Sequence, residues 1–459
     1  MIQSTSSLIR KYAVPGPRYT SYPTVPFWEN NVEEEGWKEA VRFRFREENR
    51  QRGMSIYIHL PYCESLCTYC GCNKRITKNH QVERPYIEAL LKEWALYMEL
   101  FGETPRIREI HLGGGTPTFF SPAHLRMLIE GITAHAHLLP DAVLSFEAHP
   151  ASTTLEHLME LYALGFRRLS LGIQDFEPEV QKAIHRIQTY EQVERVVRQA
   201  RAVGYESINF DLIYGLPKQS RESIARTIEH VERLKPDRIA WYAYAHVPWM
   251  MPAQKSFERW LPSPEEKLSF YEFGKQRLTE AGYRDIGMDH FALPHDALYK
   301  AYESGNLHRN FMGYTAVDTR LLVGLGASSI GDAWNAFTQN EKKIEDYKKA
   351  VEAGRLPIIR GHRLHEEDLL IRRHILDLMC RYHTVADTQA LGEENSRLIF
   401  NALQPLCEDG LVEVKPLSGQ LTSIEVQAAG KPFIRNICMA FDLRLHRKQR
   451  KEPIFSSTV

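Results

Sequence analysis

Between residues 50 and 245, short β-rich runs alternate with amphipathic stretches. The runs are SIYIHL (55–60), IREIHL (107–112), VLSFEA (143–148), RRLSLG (167–172), SINFDLI (207–213) and RIAWYAY (238–244). Between them, segments such as ERPYIEALLKEWALYMELFG (83–102), SPAHLRMLIEGITAH (121–135) and RESIARTIEHVERL (221–234) repeat apolar residues at helical spacing. Six strands separated by helices predict βαβ units and a parallel sheet, either open or curled into a barrel. Turn signals follow the strands: PYC after the first, GGGTPT after the second and YGLP after the fifth. Parallel α/β folds place their chemistry at the carboxyl ends of the strands, so these loops are expected to share one mouth.

The pattern is weaker from 246 to 362. PSPEEKLSFYEFGKQRLTEAGY (262–283) reads as a helix after a serine and prolines, and GMDHFALP and LHRNFMGYT read as loops rich in His, Arg and aromatics. From about 364, HEEDLLIRRHILDLMCRYH predicts a helix whose acidic start and basic end suit its dipole. GLVEVKP and GQLTSIEV look like two short strands, and IRNICMAFDLRL like a final helix. The expected organisation is an N-terminal extension over 1–48, a barrel with its covering extension over 49–362, and a small helical or winged-helix-like domain over 363–459. The basic run RLHRKQRK (444–451) reads as a solvated end.

Composition narrows the class. The 459 residues are 43% hydrophobic and 25% charged, proportions of a folded chain too long for one ordinary domain. Lys plus Arg (58) equals Asp plus Glu (58), so no overall field recruits nucleic acid, and no nucleic-acid partner is expected. The first residues lack the apolar core of a secretory signal, and no run approaches the ~18 apolar residues of a membrane span. Seven cysteines, four of them within 63–72, argue against a disulfide framework and for a cytoplasmic, metal-bearing protein. Neutral charge and the absence of heptads make a monomer the expectation.

The sharpest signal is CESLCTYC, which sets Cys63, Cys67 and Cys70 three and four residues apart in the loop after the first strand. Thiolates so spaced can occupy three corners of a four-iron, four-sulfur cube and leave one iron open. Structural zinc, completed by Cys72 or a histidine, is the alternative; its disfavour comes from the position in a first βα loop.

CxxxCxxC after a first strand resembles the radical S-adenosylmethionine (SAM) superfamily. The longer CESLCTYCGCNK, with GPRYTSYPT (16–24), YIHLPYC (57–63), HLGGGTPT (111–118), GIQDF (172–176), NFDLIYGLPKQ (209–219), GMDHFA (287–292), LHRNF (307–311) and RNICMAFD (435–442), resembles one branch of it, the oxygen-independent coproporphyrinogen III oxidases. The resemblance implies an α/β fold, a radical SAM (β/α)6 partial TIM barrel with an N-terminal extension and a small, mostly helical C-terminal domain. It implies a [4Fe-4S] cluster on Cys63, Cys67 and Cys70 with SAM on the open iron, and Cys72 close by as a non-ligand. It places Tyr57, Gly114, Glu147 and Ile330 at the first SAM, Gly115, Thr116, Gln174, Arg186, Asp211 and Ala245 at a second, and Tyr69 among the cofactor contacts.

The implied reaction is oxidative decarboxylation of two propionates of coproporphyrinogen III to vinyl groups, through a 5′-deoxyadenosyl radical, fed by an external donor such as a flavodoxin or ferredoxin system. A flexible tetrapyrrole with four carboxylates calls for cations and apolar area together. Arg18, Tyr19, Tyr22, His290, His308, Arg309 and Phe311 are the candidates. Two positions depart from the family pattern: Ala148-His149-Pro150 where a Val-Asp-Pro-like run is expected, and Met312 where glutamine is expected. They keep open a radical SAM methyltransferase acting on haem; a haem chaperone of the related branch, which shares the barrel and cluster, is the other alternative.

Overall fold

The computed structural model describes residues 5–30, 33–447, 455–456 and 458; part of the basic run, 448–451, lies outside them. Six parallel strands follow the predicted order: β1 (Met54–Leu60), β2 (Arg106–Gly114), β3 (His137–Ala148), β4 (Arg168–Gln174), β5 (Ser207–Tyr214) and β6 (Arg238–Ala243), each hydrogen-bonded to the next. The helices between them carry their own start and stop signals. Arg221–Leu234 begins at a Ser220/Ser223 capping box, and Glu83–Phe101 stops where Gly102 turns left-handed at φ 66°.

The sheet is wider than the periodicity suggests. Leu322–Leu325 lies parallel to β1 on the far side from β2, making a seventh parallel strand. Antiparallel strands extend both edges. Ile330–Asp332, Ala336–Asn340, Ile358–Arg363 and Glu29–Asn30 follow on one side, and His290–Ala292 and Arg284–Gly287 on the other. The stretches expected as loops are therefore partly hairpins: GMDHFALP joins Arg284–Gly287 to His290–Ala292, and LHRNFMGYT folds His308–Asn310 against Gly313–Thr315. Strands of three or four residues are too short for any period to show.

Each barrel strand alternates. Ile56, Ile58, Leu112, Phe146, Leu171, Phe210 and Trp241 are fully buried in the main core with Leu90, Leu125, Leu158, Val193 and Ile224 of the surrounding helices. Most of their neighbours in sequence are polar, and they point the other way, into the barrel.

The C-terminal region builds a second core. Helices Glu366–Arg381 and Glu393–Glu408 pack on a three-stranded sheet whose first strand, His383–Asp387, adds to the two expected from sequence. The predicted final helix breaks at Asp442 into Ile434–Phe441 and Leu443–Arg447. Leu8, Tyr12, Tyr19 and Tyr22 of the N-terminal segment belong to this core, whereas Trp37, Val41 and Phe45 of helix Glu34–Glu48 belong to the main one. A two-pronged pair, Arg372 to Asp332 at 2.5 and 3.1 Å, ties the C-terminal helix to the sheet edge. No described helix is long and apolar enough to cross a membrane.

Candidate active site

The chain leaves β1 through Pro61, and Tyr62–Cys63 then pairs with Arg75–Ile76, closing residues 64–74 into a small lobe. Within it the Cys70 amide donates to the Cys67 carbonyl at 3.2 Å. The free thiols of Cys63, Cys67, Cys70 and Cys72 face one cavity of about 420 Å³. Among the described residues no three His, Cys, Asp or Glu side chains are gathered tightly enough to hold a single metal ion; the thiols ring a volume instead. The Thr116 hydroxyl donates to Cys63 Sγ at 3.3 Å, and Arg186 Nη1 donates to Cys67 Sγ at 3.6 Å. Lys74 Nζ donates to the Cys70 carbonyl at 3.0 Å. Burial pushes the Cys63 thiol up to about 11, while the hydrogen bond from Cys72 draws Cys70 below its usual range. Three sulfur donors from one loop, with donors directed at two of the sulfurs, fit a four-iron, four-sulfur cluster with one open corner.

Glycines form the facing wall. The Gly114 amide donates to Glu147 Oε2 at 3.2 Å, and a Cβ at Gly114, where φ is 113°, would stand 2.7 Å from the His59 ring. A Cβ at Gly113 would meet Glu147 Oε1 at 3.0 Å, and one at Gly115 the Pro61 backbone at 2.7 Å. This edge is bare because nothing larger than hydrogen fits between the cluster loop and Glu147. Glu147 Oε1 also lies 3.5 Å from His111 Nε2, and the His111 ring stacks on Tyr57.

β4 closes the cavity. Gln174 sits at φ 67°, where the ladder with β5 slips between Gly172 and Gln174. A glutamine in the left-handed region is held there by its surroundings, a pattern concentrated at functional sites. Arg186 Nη2 donates to the Gly172 carbonyl, directing the guanidinium toward the thiols. On β5, Asp211 accepts from Ser170 Oγ and Asn209 Nδ2, each at 2.9 Å, and burial raises its carboxyl to about 6.

One cavity thus gathers Cys63, Cys67, Tyr69, Cys70, Gly114, Gly115, Thr116, Glu147, Gln174, Arg186 and Asp211, expected from residues spread over 150 positions. Tyr57 stands beside Glu147, a Cβ at Gly113 meeting Tyr57 Cε2 and Glu147 Oε1 each at 3.0 Å. Ala245 is linked to Tyr69 by Gln254, whose Nε2 donates to both carbonyls at 3.2 and 3.1 Å. Ile330 lies apart, in an apolar cluster with Trp28, Phe337 and Leu364. Phe311 packs on that cluster and stands edge-on to Tyr57. His149, one of the two departures from the family pattern, also lines the cavity; burial and the neighbouring Arg186 lower its imidazole to about 3, so it is neutral.

A second cavity of about 250 Å³ fills the barrel and shares Glu147, Asp211 and Tyr242 with the first. His290 and Met312 line it. Burial lowers the His290 imidazole to about 4. Arg309 Nη2 donates to the Arg18 carbonyl at 3.4 Å, and Arg18 Nη1 lies 3.8 Å from Asp289. Tyr19, hydrogen-bonded to Asp442 at 3.0 Å, and Tyr22 are buried in the second core. His308 lies on the outer hairpin, 3.7 Å from Asp318. Neither tyrosine nor His308 lines either cavity.

The strand sequences carried an unused signal for the lumen. Parallel strands covered on both faces read as continuous apolar runs, yet these alternate: Glu109-Ile110-His111, Ser145-Phe146-Glu147, Arg168-Leu169-Ser170, Asn209-Phe210-Asp211. A polar inner face predicts a wet, functional lumen. Gln254 had no such signal; its role depends on Tyr69, 185 residues away.

The family model of the Radical SAM superfamily matches residues 57–231. The chain is 39% identical over 460 residues to an oxygen-independent coproporphyrinogen III oxidase of Pseudomonas aeruginosa, covering 98% of both chains. It is 38% identical to the enzyme of that name from Escherichia coli K12, covering 97% of this chain and 96% of that one. A solved structure of coproporphyrinogen III oxidase (HemN) from Escherichia coli, described as a radical SAM enzyme, superposes with a TM-score of 0.89 at 36% identity, over 97% of this chain and all of that one.

Proposed function

Because this chain belongs to the oxygen-independent coproporphyrinogen III oxidases of the radical SAM superfamily, we propose that it converts two propionates of coproporphyrinogen III to vinyl groups, giving protoporphyrinogen IX in haem synthesis. The observation that carries this reading is the single cavity in which three loop thiols face the bare glycine edge and Glu147.

When bound, a reduced [4Fe-4S] cluster and SAM would supply the one-electron reduction and hydrogen-atom abstraction that oxidative decarboxylation of a propionate to a vinyl group requires. Cys63, Cys67 and Cys70 would hold the cluster. The Gly114 edge and Glu147 would take the amino and carboxylate end of one SAM, with Tyr57, Tyr69 and Ile330 on its other parts. Gly115, Thr116, Gln174, Arg186, Asp211 and Ala245 would form the site of a second. Arg186, donating to Cys67 Sγ and to the Gly172 carbonyl, would fix its guanidinium beside the cluster ligands. Arg18, Arg309, His290 and Phe311 would receive the tetrapyrrole from the lumen side; Tyr19 and Tyr22 would set the chain around Arg18, and His308 the outer rim.

We read residues 1–48 as a cover for the site and 363–459 as the closing domain. We further read the protein as a cytoplasmic monomer served by a flavodoxin- or ferredoxin-type donor. The test is an anaerobic assay of reconstituted protein with reductant, SAM and coproporphyrinogen III, followed by mass analysis. Loss of two CO₂ and four hydrogens with release of 5′-deoxyadenosine is expected. SAM cleavage without decarboxylation would move the substrate elsewhere.

A further inference from the structure

Among the described residues, one cation of the barrel lumen, Arg168, has no counterpart. Arg168 opens β4, level with Ser207 on β5, and lines the 250 Å³ cavity. Among the described residues its guanidinium makes no hydrogen bond and no ion pair, and its Nε is buried without a partner. The nearby acids are committed elsewhere. Asp296 accepts from Arg238 Nε at 2.6 Å, Ser207 Oγ at 2.8 Å and the Leu298 amide at 2.7 Å. Glu109 accepts from Ser55 Oγ at 2.8 Å and Thr315 Oγ1 at 3.4 Å.

A guanidinium presents five N–H groups in a planar fork, and burying it unanswered is costly. The geometry that answers it is a carboxylate bound through two parallel hydrogen bonds. The cavity around Arg168 is below the usual range for a whole drug-sized ligand, about 300–1,000 Å³, so it admits a side arm but no macrocycle. It opens at Glu147, Asp211 and Tyr242 onto the cavity of the thiols. Arg168 starts four residues below Gly172, about 13 Å along the strand, a span shared by the arginine side chain and an arm entering from above.

We propose that Arg168 binds a carboxylate at the closed end of the barrel, and that this carboxylate is a propionate of the tetrapyrrole. The proposal rests on the substrate reading above and adds to it a residue that selects for a free acid. The stretch RRLSLG entered the sequence reading only as a strand.

The test is a fluorescence titration of the cluster-loaded protein with coproporphyrin III, its tetramethyl ester and, separately, SAM, using wild type, Arg168→Met and Arg168→Lys. Arg168→Met should weaken coproporphyrin III binding by about tenfold to a hundredfold, the range of a lost charge-assisted hydrogen bond, with Arg168→Lys between. The ester should bind wild type and Arg168→Met alike, and SAM affinity should not change. The thermal midpoint of Arg168→Met should equal or exceed that of wild type, because an unanswered buried charge has been removed; if it does not fold, Arg168→Lys carries the comparison.

Coproporphyrin III affinity unchanged in a folded variant would overturn the proposal. So would a loss confined to SAM, which would make the carboxylate the cofactor's. A wild-type protein that decarboxylates coproporphyrinogen III while Arg168→Met keeps its KM defeats this subsite alone. A wild type that neither binds nor decarboxylates defeats the substrate reading as well.

Discussion

The amide of Gly114, at the end of β2, donates to the carboxylate of Glu147, at the end of β3, over 3.2 Å. Two strand ends that face the cysteine loop are thereby locked to each other. The acid is held by a backbone amide and stands 3.5 Å from the His111 imidazole, with no lysine or arginine paired to it among the described residues, so its charge stays available to a ligand.

Glu147→Gln keeps the shape and removes that charge. SAM binding, followed by equilibrium dialysis on the cluster-loaded protein, should weaken by about tenfold to a hundredfold, since a hydrogen bond to a charged group contributes about 1.5–3 kcal/mol. The cluster should still assemble, because among the described residues no hydrogen bond joins Glu147 to Cys63, Cys67 or Cys70. Unchanged SAM affinity would remove Glu147 from the cofactor site.

Cys67→Ala should abolish both the brown cluster absorbance and SAM cleavage, whereas Cys72→Ala should retain the absorbance. Iron and sulfide analysis of the two reconstituted variants separates the cases. Loss of cluster on Cys72→Ala alone would assign the ligands differently.

Gly114→Ala places a methyl 2.7 Å from the His59 ring at a φ of 113°. A non-glycine residue forced into that region costs about 1–3 kcal/mol, read as a lower urea midpoint. His59 is fixed by Tyr57 at 3.1 Å and by the Asn73 carbonyl at 2.9 Å, so it has little room to yield. A midpoint equal to wild type would mean that the loop after β2 is not tightly packed.

Glu93, fully buried in the helix behind the cluster loop, accepts from Tyr347, Asn340 and the Gly326 amide, yet burial raises its carboxyl from 4.5 to about 7. Folding therefore favours its protonated form. That contribution is complete below the ordinary carboxyl value and is lost as pH rises through about 7. Urea midpoints should fall between about pH 4.5 and 7 and level off above, and fall less in Glu93→Gln, which cannot ionise. Equal slopes in the two proteins would refute the assignment.

Sequence alone determined the succession of strands and helices, because period 2 and period 3.6 are local properties. It also determined the cysteine loop and the glycine edge, since those ligand atoms lie within a few residues of one another and their spacing is chemistry in itself. Arg186, Gln174 and Asp211 were legible only through the family resemblance, each ordinary in isolation. Tertiary structure decided the rest. It set Leu322–Leu325 beside β1, turned two apparent loops into hairpins and buried Tyr19 and Tyr22 in the second core. It also let Gln254 join Tyr69 to Ala245 and left Arg168 without a partner among the described residues of the lumen. Those outcomes depend on which distant groups meet and which do not: a buried charge is paired or unpaired according to all its neighbours at once, and no spacing along the chain encodes that.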